Sequence, residues 1–289
     1  MLAQLLFSGL ALGSMYGLVA LGYNITYATS RTVNFSQGQS VMLGAVLAYA
    51  LRVGLGWPLL AAVVVSVGAL AVFGVLVERV AVRPFLASSS IAWLLSTIAV
   101  GIIAENVVML TFGRDARAFP SPLTVRPWTV LGAGVYPLEL LVPAVGVLLT
   151  VLVELAFRRT LSGKALRAVA FSHDAAALMG IDVHRTISAA YAISSTLAAI
   201  AGILLAPLLN VSATMGTTIG LKAFAVAIIG GIESARGIVL AGFMYGLFEA
   251  VVAGYLGTGV REILGFGLVI AVLLVRPWGL FGLRAVRRV

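Results

Sequence analysis

Long apolar runs, interrupted only briefly by charge, recur along almost the whole chain and decide what it can fold into. A run of roughly 20 apolar residues crosses a bilayer core as a helix. In lipid its backbone can satisfy its own hydrogen bonds only as a helix or in a closed barrel. Nine such runs would occupy about 180 of the 289 positions. That leaves short connections and no room for a soluble catalytic domain. Hydrophobic residues make up 61% of the chain and charged ones 10%, against about a quarter charged in soluble domains. Mean hydropathy is +1.12. In water such a chain would expose large apolar areas and aggregate. The expectation is an all-α, polytopic integral membrane bundle of 8–9 transmembrane helices, with residues 1–289 forming one domain.

The charge balance is basic, with 19 Lys and Arg against 10 Asp and Glu and a net charge of +9. A basic chain can signal nucleic acid, but polytopic proteins also concentrate Lys and Arg in cytoplasmic loops. The second account fits the apolar runs, so membrane lipid is expected as a partner and nucleic acid is not. There is no cysteine and there are two histidines, so no metal site, cofactor or cysteine nucleophile is expected. The opening Met1-Leu2-Ala3-Gln4 has no basic region, so the first apolar run is expected to be a retained span.

The expected spans are residues 4–27, 33–51, 57–77, 86–112, 138–157, 186–209, 218–232, 237–256 and 260–275. Residues 113–137 carry Pro120, Pro122, Pro127 and Pro137 among charges and read as an exposed loop. Placing residues 158–185 inside assigns thirteen basic residues to the inner side and five to the outer, with Lys222 at membrane depth. That bias predicts an external N-terminus and a cytoplasmic C-terminus with a basic tail. Residues 218–232 are short and could dip back instead of crossing. Gly9, Gly13 and Gly17 in the first span, and Gly242, Gly246, Ala250 and Gly254 in the eighth, fall every four residues. Each set forms a ridge of small residues suited to close helix contact.

Three segments and three isolated charges carry chemistry. Val33-Asn34-Phe35-Ser36-Gln37-Gly38-Gln39-Ser40 opens an apolar span with five polar side chains, which are costly against lipid. On a helix Asn34, Gln37 and Val41 would share a face. The segment could line a path, break a helix beside one, or clamp helices together. Residues 158–185 form the longest polar stretch. There Asp174 is suited to cap a short helix, Ala175–Met179, with Gly180 ending it. Ala175, Leu178 and Met179 would make its apolar face, for a partner's groove or for lipid headgroups. A phosphate loop around Gly163-Lys164 would need glycine where Arg158 stands and Ser or Thr where Ala165 stands. No enzyme activity is therefore expected, and ATP hydrolysis would fall to another polypeptide. In the third segment, Gly230-Gly231-Ile232-Glu233-Ser234-Ala235-Arg236, Glu233 and Arg236 could pair across a turn. Glu105, Lys222 and Glu249 lie inside spans. Glu105 or Glu249 could couple protons in a stand-alone secondary transporter; the alternatives are a Glu–Lys pair between helices or a neutral, protonated Glu held by hydrogen bonds. A passive channel is a third class, marked by uptake that survives ATP depletion.

Further motifs run in order through the chain: Gly17-Leu18-Val19-Ala20-Leu21-Gly22-Tyr23, Ser96-Thr97-Ile98, Glu105-Asn106-Val107, Gly113-Arg114-Asp115, Gly163-Lys164-Ala165-Leu166-Arg167, Ala176-Ala177-Leu178-Met179-Gly180-Ile181-Asp182, Gly220-Leu221-Lys222-Ala223-Phe224 and Arg276-Pro277-Trp278-Gly279-Leu280-Phe281-Gly282. With the polar segment at residues 33–38, they make the chain resemble the LivH-type permease subunit of bacterial ABC importers for branched-chain amino acids. The resemblance implies that fold, placed in the bacterial inner membrane. It implies two ATPase subunits, a second, LivM-like permease subunit and a periplasmic substrate-binding protein as partners. It also implies that the 158–185 loop couples to the ATPase, through Lys164, Arg167, Asp174, Ala175, Ala176, Leu178, Met179, Gly180 and Asp182. Asn34, Gln37, Gln39, Glu105 and Asn106 are candidates to line the translocation path. The family's polar motif commonly reads Asn-Phe-Ala-His-Gly-Glu or -Asp, whereas Gln37 and Gln39 stand at the ionisable positions here. Urea permeases carry a similar motif, usually after a longer N-terminal region, so branched-chain or related amino acids are the expected cargo and urea or a short amide the alternative.

Overall fold

The computed structural model describes residues 2–86, 91–130 and 132–282. Seven helical stretches are long and apolar enough to cross a membrane. They begin with α1 (Leu2–Ser30) and with α3 (Leu59–Val77), which continues through a π turn at Glu78–Val82 into α4 (Arg83–Leu86). The others are α5 (Ala92–Thr111), α6 (Pro137–Arg159), α9 (Val183–Leu209), α11 (Ala235–Tyr255) and α12 (Thr258–Val275). Two shorter helices complete the expected set: α2 (Gln37–Tyr49), followed by a π turn at Ala50–Gly54, and α10 (Met215–Gly230). Each of the nine expected spans thus overlaps a helix, while residues 87–90 of the fourth and three residues of the basic tail (Arg284, Arg287 and Arg288) lie outside the described residues.

Inner and outer helices separate by burial. Two-thirds of α1's apolar window is enclosed by protein, against 11% for α6 and for α12. α1 is the hub, touching α6, α9, α10 and α11. Its glycine ridge meets that of α11: a Cβ at Gly13 would sit 2.5 Å from the Gly242 carbonyl oxygen, and one at Gly9 would sit 2.9 Å from Ala250 Cβ. With lipid on the other faces there is no hydrophobic drive for helix association, so backbone-to-backbone dispersion contact takes its place.

α2 does not begin where the apolar pattern does. Residues 31–36 leave the helix, and Asn34 organises the turn that restarts it. Its Oδ1 accepts from Ser36 N–H at 3.1 Å and from Ser36 Oγ at 2.7 Å, while its carbonyl accepts from Gln37 N–H. Asn34 therefore lies ahead of the helix and does not share a helical face with Gln37 and Val41. Gly38 answers to packing, since a Cβ there would strike the Gly216 carbonyl of α10.

Residues 158–185 contain more structure than a loop with one short helix. Arg158 and Arg159 finish α6, then α7 (Leu161–Phe171) and α8 (His173–Leu178) follow in sequence. Thr160 caps α7 through Gly163 N–H, and Ser172 caps α8 through Ala175 N–H. The cap is thus Ser172 and not Asp174, because the helix starts two residues earlier than the composition suggested. Gly180, at φ +78°, turns the chain out of α8, and Asp182 caps α9 through Arg185 N–H.

Glu233 and Arg236 do not pair with each other. Glu233 binds Arg31 at 2.6 Å and Arg236 binds Glu154 at 3.3 Å, so each ties its turn to another helix end. At the opposite end, residues 113–136 carry a small antiparallel hairpin, β1 (Trp128–Val130) with β2 (Ala133–Val135), held to Val211 through Arg117. The Arg276–Gly282 stretch folds back, and Leu280 N–H donates to the Ile229 carbonyl at 2.7 Å. Gly231 and Gly279, at φ +85° and +79°, permit that close return.

Candidate functional site: a polar cavity and a protruding helix pair

A cavity of about 430 Å³ opens between α1, the start of α2, α5 and α10. On one wall Glu105 Oε2 accepts two hydrogen bonds, from Gln39 Nε2 at 3.1 Å and from Thr217 Oγ1 at 2.6 Å. Gln39 is almost wholly buried, and its Oε1, against Gly216, has no donor among the described residues. A continuous aromatic face supplies another wall, with Tyr23, Phe224 and Phe35 ring centroids 5.5 and 5.3 Å apart in sequence.

The five polar candidates therefore part company. Gln39 and Glu105 meet at the cavity. Gln37 is fully buried away from it, where its amide is clamped on both atoms: Nε2 donates to the Ser194 carbonyl at 3.0 Å and Oε1 accepts from Ser194 Oγ at 2.9 Å. Asn34 is a turn residue, buried to 1% exposure. Asn106 is exposed on the outer side of α5 and donates to the Ile102 carbonyl of its own helix. Thr217, Phe35 and Phe224 were not singled out from the sequence. A carboxylate within a span asks for donors, but only tertiary structure says which hydroxyl supplies one.

The charged residues inside the spans resolve differently. Lys222 Nζ lies 2.7 Å from Glu249 Oε1, and Tyr16 donates its hydroxyl to Glu249 Oε2 at 2.9 Å. Glu78, fully buried, takes both arms of Arg83 at 2.9 and 2.8 Å and a hydrogen bond from Ser188 at 2.7 Å. Short range in sequence hid this last site, which reads as the end of a span.

At the other candidate site, α7 packs against α6, α9 and α1 with Leu166 and Val169 buried, and α8 follows it with most of its side chains exposed. Ala176 is buried against Val77, Val169 and Ile187, anchoring α8 from below. Leu178 and Met179 are 89% and 82% exposed, and Phe171 matches them at 89%. Ala175, Lys164, Arg167, Asp174, Gly180 and Asp182 are exposed as well, apart from the cap that Asp182 forms. His173 Nε2 lies 2.6 Å from the Thr29 carbonyl at the end of α1, a contact the sequence did not suggest. The arrangement presents large apolar side chains on a short, capped and well-braced helix, too short to enter a membrane core. Such a surface is open to a partner's groove or to lipid headgroups.

The family model for the branched-chain amino acid transport system / permease component matches residues 5–275. The "High-affinity branched-chain amino acid transport system permease protein LivH" of Escherichia coli (strain K12) is 34% identical, over 99% of this chain and 97% of that protein. The corresponding BraD protein of Pseudomonas aeruginosa is 32% identical over the same shares. Among solved structures, "PsaBC from Streptococcus pneumoniae in complex with Fab" aligns over 93% of this chain and 91% of that one. Its TM-score of 0.47 at 14% identity is too low to argue a shared fold.

Proposed function

The chain belongs to the family of branched-chain amino acid transport permease components, and from that premise we propose how its parts serve transport. It is a multi-pass inner-membrane permease subunit of an ATP-binding-cassette importer, and its cargo class is branched-chain amino acids. It works with an ATPase and a substrate-binding protein. In our reading the assembly holds two ATPase subunits, a second, LivM-like permease and one periplasmic binding protein, with this chain's N-terminus outside and its C-terminus in the cytoplasm.

The coupling surface is α8 with its flanks. Leu178, Met179, Ala175 and Ala176 form the helix that the ATPase grips, Gly180 and Asp182 join it to α9, and Asp174, Lys164 and Arg167 surround it with charge. The observation that carries this assignment is the near-complete exposure of Leu178 and Met179 on a helix braced by buried Ala176. Nucleotide-driven movement of that helix would rock the bundle between outward and inward access. Gln39 and Glu105 line the path from the cavity. Asn34 and Gln37 shape the restart of α2 beside it, and Asn106, on the outer side of α5, would face a neighbouring permease subunit.

Co-expression of this chain with its ATPase, sister permease and binding protein, followed by reconstitution, tests the assignment. The expected result is ATP-dependent leucine uptake, lost together with ATPase co-purification in Leu178→Asp/Met179→Asp. Uptake that persists without ATP, or an ATPase that still co-purifies with the double variant, would overturn it. The proton-coupled reading through Glu249 is disfavoured by the closed Lys222 pair.

A further inference from the structure

The fully buried carboxylates Glu78 and Glu249 are matched with cations, Glu139 in the first turn of α6 takes a neutral donor on each oxygen (Ser8 Oγ and Tyr136 N–H), and part-buried Glu105 differs from all three. Glu78 has Arg83 and Glu249 has Lys222. Glu105 lies thirteen residues into the twenty-residue α5, and among the described residues no Lys or Arg pairs with it. Only neutral donors reach it, and both arrive at the same oxygen, Oε2. An unneutralised carboxylate in a membrane helix is expensive and marks a functional position. Beside it, the buried Gln39 Oε1 is a second acceptor without a donor among the described residues.

We propose that Glu105, Gln39 and Thr217 form a transient station for the α-ammonium group of the passing amino acid. This deepens the transport reading above and rests on it. An ammonium group carries three N–H donors and one positive charge. It matches a wall that offers a free carboxylate oxygen and an unused amide oxygen and holds no positive side chain. Charge-assisted hydrogen bonds of this type are about twice as strong as neutral ones. The remainder of the cavity suits the remainder of such a ligand. Phe35 and Phe224 supply ring faces that attract a cation as it passes and apolar area for a branched aliphatic side chain. Thr217 and Gln39 hold the Glu105 carboxylate in one orientation, so they are positioning residues as well as contacts.

The absence of cysteine from the chain makes a direct test available. Leu221→Cys, at the exposed edge of the cavity, is labelled with a thiol reagent in the reconstituted importer, in sodium-free buffer. The label is read on this subunit alone after separation. L-leucine is expected to slow labelling at least fivefold. Its deaminated analogue, 2-hydroxy-4-methylpentanoate, and sodium chloride are expected to leave the rate unchanged. In the same variant carrying Glu105→Gln, leucine protection should disappear while the ATPase still co-purifies. Equal protection by the hydroxy acid would overturn the ammonium assignment, and protection by sodium would make the site an inorganic cation site. Protection by leucine that survives Glu105→Gln, or no protection at all, would also overturn it. Gln39→Lys places a tethered ammonium on the wall and should block leucine uptake at least tenfold with the complex still assembled; normal uptake would count against the station. If the unmodified importer moves no leucine with ATP, the transport reading itself has failed, whatever the labelling shows.

Discussion

Lys222 Nζ and Glu249 Oε1 stand 2.7 Å apart, and neither side chain keeps more than 2% of its surface exposed. The pair joins α10 to α11, and Tyr16 extends it to α1. Removing one member of such a pair strands a buried charge and costs about 3–5 kcal/mol, whereas apolar replacement of both is often neutral. Lys222→Met should therefore lower the thermal midpoint of the purified subunit sharply. Lys222→Met/Glu249→Leu should recover most of that loss, as differential scanning fluorimetry in nanodiscs would record.

The glycine ridges of α1 and α11 predict a different asymmetry. A Cβ at Gly246 would collide with the backbone of Gly13, whereas one at Gly68 on α3 has nothing within 4 Å. Overfilling a close contact costs about 1–3 kcal/mol, and sometimes more. Gly246→Leu is expected to reduce folded yield severalfold and Gly68→Leu to leave it intact. Size-exclusion profiles of the two variants in the same detergent would decide it.

Ser172 caps α8, and loss of a Ser cap costs about 1 kcal/mol. Because α8 is short and exposed, that loss should stay local. Ser172→Ala is expected to speed amide exchange over residues 173–179 and to weaken retention of the ATPase on affinity resin, with the subunit's thermal midpoint unchanged. Asp174→Ala, which removes no cap, should leave the exchange rates near the parent values.

Ser194→Ala removes the hydroxyl that donates to Gln37 Oε1 and leaves that buried oxygen without its partner. An orphaned buried acceptor costs about 1–3 kcal/mol. Here the strain falls on the joint between α9 and α2, so uptake should drop more than stability does. Uptake rate and thermal midpoint, measured on the same reconstituted samples, would separate the two effects.

The membrane architecture was legible in the sequence because lipid imposes it: apolar runs of the right length have few other folds open to them. The ridges of Gly9, Gly13 and Gly17 and of Gly242, Gly246 and Ala250 were visible as patterns, but not as partners of each other. Gln37 and Gln39 show where reading ran out. They sit two residues apart in one motif, yet one clamps α9 and the other hydrogen-bonds Glu105 on the cavity wall. That division is set by where α2 restarts, which depends on Asn34 forming a turn instead of extending a helix. Ser172 was missed as the cap of α8 because Asp174 is an equally suitable residue type nearby, and local preference alone does not rank the two.

α9 begins at the Asp182 cap, next to α8, and reaches Ser194 twelve residues later, about 18 Å along its axis at 1.5 Å per residue. At that point it holds Gln37 by two hydrogen bonds, two residues before Gln39. The segment between the Asp182 cap and the Ser194 clamp is continuous helix, a stiff link between the two points. In the proposed coupling, a stroke received at the start of α9 would be felt near the middle of that helix, at Ser194, beside the polar wall.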